Sequence, residues 1–317
     1  MHVLLTGSSG WLGRFLAPRL RAAGHLVTGL DVAPGVDTQI VGSVADRATV
    51  DRAFSRGVNA VIHAGALHKP DIVRYAAQAF VDVNVTGTLN LLEAARAAGH
   101  DRFVFTSTTS LMINQSIREE RDDLAVWLDE SSGPIAPRNI YGVTKFAAEE
   151  LCRLFATDHG LPCVVLRTGR FFPEDDDTHQ SPAGDNLKVN ELLYRRLTVE
   201  DAADAHVRAL DRAPSLGFDT FILSAPTPFA RADATALKRD AAAMVAQYFP
   251  DAPALYAERN WVLPTSIGRV YDAGHAERTL GFRCQTDFAS ALSAMREGRE
   301  VPVRHDPAYV SPKEIPV

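Results

Sequence analysis

Gly7, Gly10 and Gly13 follow a short apolar run in the opening residues MHVLLTGSSGWLG, and their spacing constrains the fold more than any other feature of the chain. A strand that enters a glycine-rich turn and then a helix start has the form of a dinucleotide-binding unit. Gly7 allows the tight turn, Gly10 lets the main chain approach a pyrophosphate, and Gly13 lets helix and strand pack closely. The helix that follows points its first amides at the phosphates. A helical run over 15–23 and a second strand over 25–30, ending in Asp31, supply the expected context. An acid at that tip accepts hydrogen bonds from the adenosine ribose hydroxyls and repels a 2'-phosphate. Val32, Ala33 and Pro34 bring no arginine, so NAD is expected over NADP.

A chain of 317 residues can bury a large core and divide into a main domain and a smaller lobe. Its formal charge of -6 argues against nucleic-acid and anionic-membrane partners. No stretch has the length of a transmembrane span, and the sequence enters its first strand at once, so no signal peptide is expected. Cys152, Cys163 and Cys284 are widely separated, which suits core thiols in a reducing cytoplasm and makes no metal site.

Strand and helix patterns alternate through the first half. Strands are expected over 38–41, 60–63, 102–107 and 163–167, and helices over 48–54, 76–98 and 141–159. Apolar strands between helices imply a parallel sheet covered on both faces. Residues 172–188, with Pro173, Pro182 and Gly184, read as a loop. Within it the acids at 174–177 read as a solvated stretch, with no metal. A helix over 198–210 and a strand over 220–223 return to the sheet, and helices near 234–248 and 288–295 build the second lobe. The expected class is α/β: a Rossmann-type doubly wound parallel sheet with a smaller C-terminal substrate-binding lobe. Residues 1–170 and 198–224 form the NAD-binding domain; 171–197 and 225–317 form mainly the lobe and C-terminal tail.

Tyr141 and Lys145 stand in YGVTK at the start of a long helix, four residues apart and on one face. A neighbouring ammonium favours the tyrosinate and lowers the tyrosine pKa, which makes Tyr141 a general acid/base toward an alcohol or carbonyl. Lys145 can also hold the nicotinamide ribose. A third partner is expected at the end of the strand RFVFTSTTS, where Thr106 to Ser110 cluster hydroxyls beyond the carboxyl end of the sheet. Position alone does not choose among Ser107, Thr108 and Thr109.

The chain resembles extended short-chain dehydrogenases/reductases of the NAD-dependent epimerase/dehydratase family, of the nucleotide-sugar epimerase kind. The resemblance covers nearly the whole length and rests on TGSSGWLG, Asp31, VIHAGA, VNVTGTLNLLEAA, the hydroxyl-rich strand end, YGVTK, LRTGRFF and YDAGHAERTLGF. It implies that Thr108 is the catalytic hydroxyl beside Tyr141 and Lys145, and that Ser107 touches the nicotinamide side. Gly7, Gly10, Trp11, Leu12, Gly13 and Asp31 would hold the cofactor at the first turn. Ser43 and Val44 would flank the adenine. Ala64, Gly65 and Ala66 would line the cofactor, Asn84 would support it, and Thr168 and Gly169 would lie beside the nicotinamide. A homodimer through the helices at 76–98 and 141–159 also follows from the resemblance.

Three departures bear on the substrate. Sugar-nucleotide dehydratases of the family place an Asp-Glu pair directly after the catalytic threonine. Thr109 and Ser110 stand here and cannot do carboxylate chemistry, so a dehydratase is disfavoured and Thr109 is left as a substrate contact. Arg170 replaces the usual asparagine; its forked donors suit a carboxylate or phosphate, or a structural pairing with Glu174 or Asp175. The stretch before TVEDAADAHVRAL is short for a nucleotide pocket, with Arg195 and Arg196 available for an anion or exposed on the approach to the helix. The insertion at 114–138 reads as a solvated, mobile rim. Two activities fit: hydride transfer with return to the other face of a sugar, as in C4 epimerisation, and net oxidation of a free sugar, uronate or other small polar alcohol. A non-catalytic NAD-binding protein is the alternative of a different class.

Overall fold

The computed structural model describes residues 1–173, 182, 184–303 and 309. Val3 and Leu5 of the opening strand lie in one buried cluster and Leu4 in another. Successive side chains of a strand point to opposite faces, so a sheet covered on both sides needs an unbroken apolar run. Among the described residues nine strands form: β1 (His2–Thr6), β2 (Leu26–Asp31), β3 (Ile40–Val41), β4 (Ala60–His63), β5 (Phe103–Thr108), β6 (Val126–Leu128), β7 (Cys163–Thr168), β8 (Phe218–Leu223) and β9 (Arg269–Tyr271). Seven make one parallel sheet in the order β3-β2-β1-β4-β5-β7-β8. This is a Rossmann-type sheet. The order runs outward in both directions from β1 and β4, so the crevice beyond their carboxyl ends is the switch point where such sheets take ligands.

The main helices in chain order are α1 (Trp11–Ala22), α2 (Arg47–Phe54), α3 (Ala77–Phe80), α4 (Gly87–Ala97), α5 (Gln115–Glu119), α6 (Ile140–His159), α7 (Gly184–Glu191), α8 (Val199–Leu216), α9 (Ala234–Arg239), α10 (Ala241–Tyr248), α11 (Ala252–Ala257) and α12 (Phe288–Arg296). α1 and α8 cover one face of the sheet through Leu16, Leu20, Ala205 and Leu210. α2, α4 and α6 cover the other through Val50, Leu91, Leu92 and Ala148. A third cluster gathers Val189 of α7, Leu193 of the turn after it, and Leu237, Val245, Tyr256 and Phe288 of the helices after β8. Among the described residues no helix is long and apolar enough to cross a membrane.

Several expectations are corrected. The single helix expected over 76–98 contains a π-helical turn, Val81–Thr86, between α3 and α4. The helix expected to stop near 210 continues through Pro214. That residue has no N–H for the Leu210 carbonyl, which instead lies 3.5 Å from Arg102 Nη1. The helix expected over 234–248 breaks at Asp240, whose side chain accepts the Ala243 amide and restarts the chain as α10. The loop expected over 172–188 gives way to α7 at Gly184; the acids at 174–177 lie outside the described residues. The insertion at 114–138 is no free rim. It contributes β6, which pairs in parallel with β9, buries Ala125 and Leu128, and ties Glu130 to the Ile222 amide at 2.7 Å. Cys152 and Cys163 are buried, and Cys284, half-buried, packs against the core cluster beneath α1 and α8.

Candidate active site

The first turn is built by close approach. Gly7 has φ +71°, and a Cβ there would stand 2.7 Å from the Gly65 amide nitrogen. A Cβ on Gly13 would stand 2.2 Å from the Gly7 carbonyl oxygen. Only glycine fits either place, which brings α1, β1 and the loop after β4 together around the crevice. At the tip of β2, Asp31 accepts the Ser9 amide through one oxygen and the Ala33 amide through the other, both at 3.0 Å. Trp11 and Leu12 are buried in the α1 cluster, and the Trp11 indole donates to the Phe171 carbonyl at 3.1 Å. Their side chains therefore serve packing.

Across the crevice, Val44 packs against α4 at Gly87, where a Cβ would meet its methyl at 2.5 Å. Ser43 accepts the Ala45 amide at 3.2 Å. The loop Ala64, Gly65, Ala66 is held by the Gly65 amide on Thr6 Oγ1 at 3.0 Å. Asn84 sits in the π-helical turn and binds both polar groups of the Leu67 main chain, at 2.8 and 3.0 Å, and Thr144 Oγ1 at 3.1 Å. It thereby ties this loop to α6. His63 is buried between Thr6 Oγ1 (2.7 Å) and Thr88 Oγ1 (3.1 Å). Thr88 spends its own proton on the Asn84 carbonyl, which makes the Nε2–H tautomer of His63 the consistent one. Burial first, and the Lys145 ammonium second, hold His63 well below the usual histidine range. It is a structural cross-link, not a proton carrier.

α6 begins at an N-cap, with Asn139 Oδ1 accepting the Gly142 amide at 2.9 Å. This start places Tyr141 in a buried position, near enough to the Thr108 side chain at the end of β5 for the two to interact. Lys145 Nζ donates to the Thr106 carbonyl at 2.7 Å and lies 3.9 Å from the centre of the Phe105 ring. The structure thus brings Thr108, Tyr141 and Lys145 to the carboxyl end of one strand. The Tyr141 pKa differs from expectation. Burial raises it to about 12, the Thr108 side chain opposes this, and the Asp71 carboxylate adds to the rise. Desolvation outweighs the local helix-face argument.

Thr109 Oγ1 donates to the Thr168 carbonyl at 3.2 Å, and Thr168 Oγ1 to the Ser107 carbonyl at 3.0 Å. Gly169 donates its amide to Leu223 at 2.7 Å, and a Cβ there would stand 2.6 Å from the Arg195 carbonyl. Ser107 turns toward α6 and donates to Glu149 Oε1 at 2.5 Å. Arg195 and Arg196 are buried, not exposed on the helix approach, and both bind Glu191. Arg170 lies 3.3 Å from the same carboxylate. His68 and Asp71 were not anticipated: the His68 ring is 5.8 Å from that of Tyr141 and 5.5 Å from Phe172, and Asp71 is buried just beyond it. Both follow β4, so the rule that sites lie beyond strand ends points to them.

The cradle left by Gly7, Gly13 and Gly65, with Asp31 at its rim, fits a dinucleotide. The chain matches the model of the NAD dependent epimerase/dehydratase family over residues 3–217. A uronate dehydrogenase of Pseudomonas putida is 28% identical over 179 residues, 55% of this chain and 62% of that protein, so the match spans less than two thirds of that relative. A UDP-glucose 4-epimerase of Rhizobium meliloti is 30% identical over 249 residues, 66% of this chain and 72% of that protein. A solved short-chain dehydrogenase/reductase superfamily protein from Agrobacterium tumefaciens with bound NAD shares the fold. Its TM-score is 0.65 at 23% identity, over 94% of this chain and 98% of that one. With a glycine cradle at the switch point and a family match across most of its length, the chain belongs to the NAD-dependent epimerase/dehydratase family.

Proposed function

We propose that the chain moves hydride at a secondary hydroxyl of a sugar or nucleotide-sugar, with Thr108, Tyr141 and Lys145 as its catalytic residues. The observation that carries this reading is the convergence of the buried Tyr141 and Thr108 at the end of β5, with Lys145 anchored on the Thr106 carbonyl of the same strand. Two hydroxyls meet there, so one substrate oxygen can be bound by Thr108 while Tyr141 exchanges its proton. Gly7, Gly10, Gly13 and Asp31, with Ser43, Val44, the Ala64–Ala66 loop, Thr168 and Gly169, would hold NAD, which supplies the hydride acceptor. In oxidation the substrate O–H proton passes to Tyr141, the carbon loses hydride, and a carbonyl remains. At neutral pH Tyr141 holds its proton. In the ligand-free chain it is set to donate to a carbonyl, and the tyrosinate needed for oxidation grows about tenfold per pH unit.

Return of hydride to the opposite face of the bound keto-sugar would make the activity an epimerisation, at C4 in the expected form. A second reading, net oxidation of a free sugar or uronate, is favoured by the short stretch between Phe172 and α8 and by the likeness to a uronate dehydrogenase. Residues 1–170 and 198–224 would then serve the cofactor, and 171–197 with 225–317 the substrate. A homodimer through α4 and α6 is supported by the exposed Val143 and Leu154, and a cytoplasmic location by three free cysteines.

The test incubates the protein and NAD with free aldoses, uronic acids and UDP-sugars, following NADH and sugar stereochemistry together. Isomer interconversion without net NADH marks the epimerase; stoichiometric NADH marks the dehydrogenase. Tyr141→Phe is expected to abolish either turnover while leaving NAD affinity in place. Unchanged turnover in that variant would remove Tyr141 from the chemistry.

A further inference from the structure

Ser107 sits directly before Thr108, yet its hydroxyl is committed to α6, donating to Glu149 Oε1 at 2.5 Å. Glu149 in turn accepts from Arg167, with Nε at 3.1 and 3.2 Å from its two oxygens and Nη2 at 2.7 Å from Oε2. Ser107 and Arg167 are direct neighbours in the β5–β7 register. All three side chains are buried. We propose that Ser107, Glu149 and Arg167 form a positioning unit that fixes α6 against β5 and β7. On this assignment Ser107 acts through the unit and not as a contact to the cofactor.

The geometry gives this unit leverage on the reacting groups. Lys145 and Glu149 are one helical turn apart on the same face of α6 and are tied to consecutive residues of β5. Lys145 binds the Thr106 carbonyl and Glu149 the Ser107 hydroxyl. A slip of α6 by one residue, about 1.5 Å, breaks both ties and carries Tyr141 off Thr108. Arg167 closes the set from β7, the strand that ends in Thr168 and leads into Gly169. Strands β5 and β7 and helix α6 thus meet at one carboxylate. Among the described residues Arg167 Nη1 is buried with no hydrogen-bond partner. A buried ion pair is weak evidence of stabilisation in itself, and one with an unmatched donor is better explained by the register it imposes.

The test is a NAD titration by calorimetry of the full chain and of Ser107→Ala, Ser107→Thr, Glu149→Gln and the Ser107→Ala/Glu149→Gln double variant. Turnover is measured beside it on whichever sugar the wild type accepts. For Ser107→Ala the expected NAD Kd lies within about twofold of wild type, while kcat falls about tenfold with little change in the KM for NAD. Misplacement of reacting groups by about 1 Å can cost up to a hundredfold. Ser107→Thr, which restores the hydroxyl, should recover kcat. The double variant should be no slower than Glu149→Gln alone, because both changes break one unit. A tenfold weaker NAD Kd in Ser107→Ala would overturn the inference in favour of direct contact, as would independent, multiplying effects on kcat. The turnover arm rests on the proposed sugar chemistry. If the wild type neither oxidises nor epimerises any sugar of the panel, that reading fails, and the NAD affinity of Ser107→Ala still decides whether Ser107 contacts the cofactor.

Discussion

Glu149 and Glu191 are both buried carboxylates, but they meet arginine in opposite proportions. Glu149 faces one guanidinium, Arg167, which reaches both of its oxygens. Glu191, at the end of α7, has Arg195 Nη2 at 2.6 Å, Arg196 Nε at 2.8 Å and Arg170 Nε at 3.3 Å. Burial alone would raise the Glu191 carboxyl, yet the three guanidiniums outweigh it and hold it below the usual carboxylate range. In a one-to-one pair, removing either member strands the other. Where one anion is shared by three cations the members are not equivalent, because losing the anion strands all three while losing one cation leaves two.

Glu191→Gln should therefore have the largest effect on stability, about 3–5 kcal/mol, the range seen when a buried ion pair loses one member. Arg196→Met should cost clearly less, since Arg195 and Arg170 still face the carboxylate. At the other site Glu149→Gln and Arg167→Met should match each other within about 1 kcal/mol. Urea denaturation of the four variants measures all of this. Equal losses for Glu191→Gln and Arg196→Met would break the comparison.

The two clusters also differ in how far they can be read from the chain. Gly7, Asp31, β4 and the start of α6 announce themselves through local signals, a glycine spacing, a strand end and a paired Tyr and Lys, and local signals survive in sequence. Glu149 and Arg167 stand on elements the sequence marks clearly, yet their pairing depends on how α6 lies on β7. Glu191 is harder still. α7 opens with Gly184 and carries Asn186 and Asn190, poor helix formers, and it is held by tertiary contacts such as Asn186 and Asn190 on the Val262 carbonyl, each at 3.0 Å. The parallel pair β6 and β9 has three residues per strand, too few to show a period. Tyr141 illustrates the same limit in the chemistry. The pattern YGVTK argues for a lowered pKa, and burial, a property of the whole fold, reverses it.

A neutral network on the far face of β5 sharpens the contrast. Thr106 Oγ1 bonds His206 Nε2 at 2.7 Å, and His206 Nδ1 donates to the Ala202 carbonyl at 2.6 Å. Burial lowers the His206 pKa to about 4, and that of His63 falls well below its usual value. Both are neutral when folded, whereas an unfolded histidine protonates near 6.5. Their stabilisation is complete above that pH and is lost as pH falls from 6.5 toward the folded values, by about 1.4 kcal/mol per unit for each histidine. Thermal melts between pH 7 and 5 should show this loss, and His206→Asn should remove its share of the slope. A slope unchanged in His206→Asn would assign the acid sensitivity to other groups. The ion pairs of Glu191 should contribute little over this range, because the three guanidiniums hold its carboxyl below the usual carboxylate range.

The smallest expected effect on stability is at Arg170, and it separates the two roles the sequence leaves open. Its side chain is 31% exposed, against 9% for Arg195 and 5% for Arg196, so of the three it alone is positioned to reach a ligand as well as Glu191. Arg170→Ala is expected to cost under about 1 kcal/mol, as for a partly exposed ion pair, and to leave NAD affinity unchanged. If the guanidinium also holds an anionic group of the substrate, KM for a uronate should rise about tenfold while KM for the matching neutral aldose stays put, since a charged hydrogen bond lost is worth about 1.5–3 kcal/mol. Equal KM changes for both sugars, or a loss of stability as large as that of Glu191→Gln, would make Arg170 a support for Glu191 alone. The three arginines would then form a purely internal cluster, and the difference between the two carboxylates would be one of architecture rather than of substrate recognition.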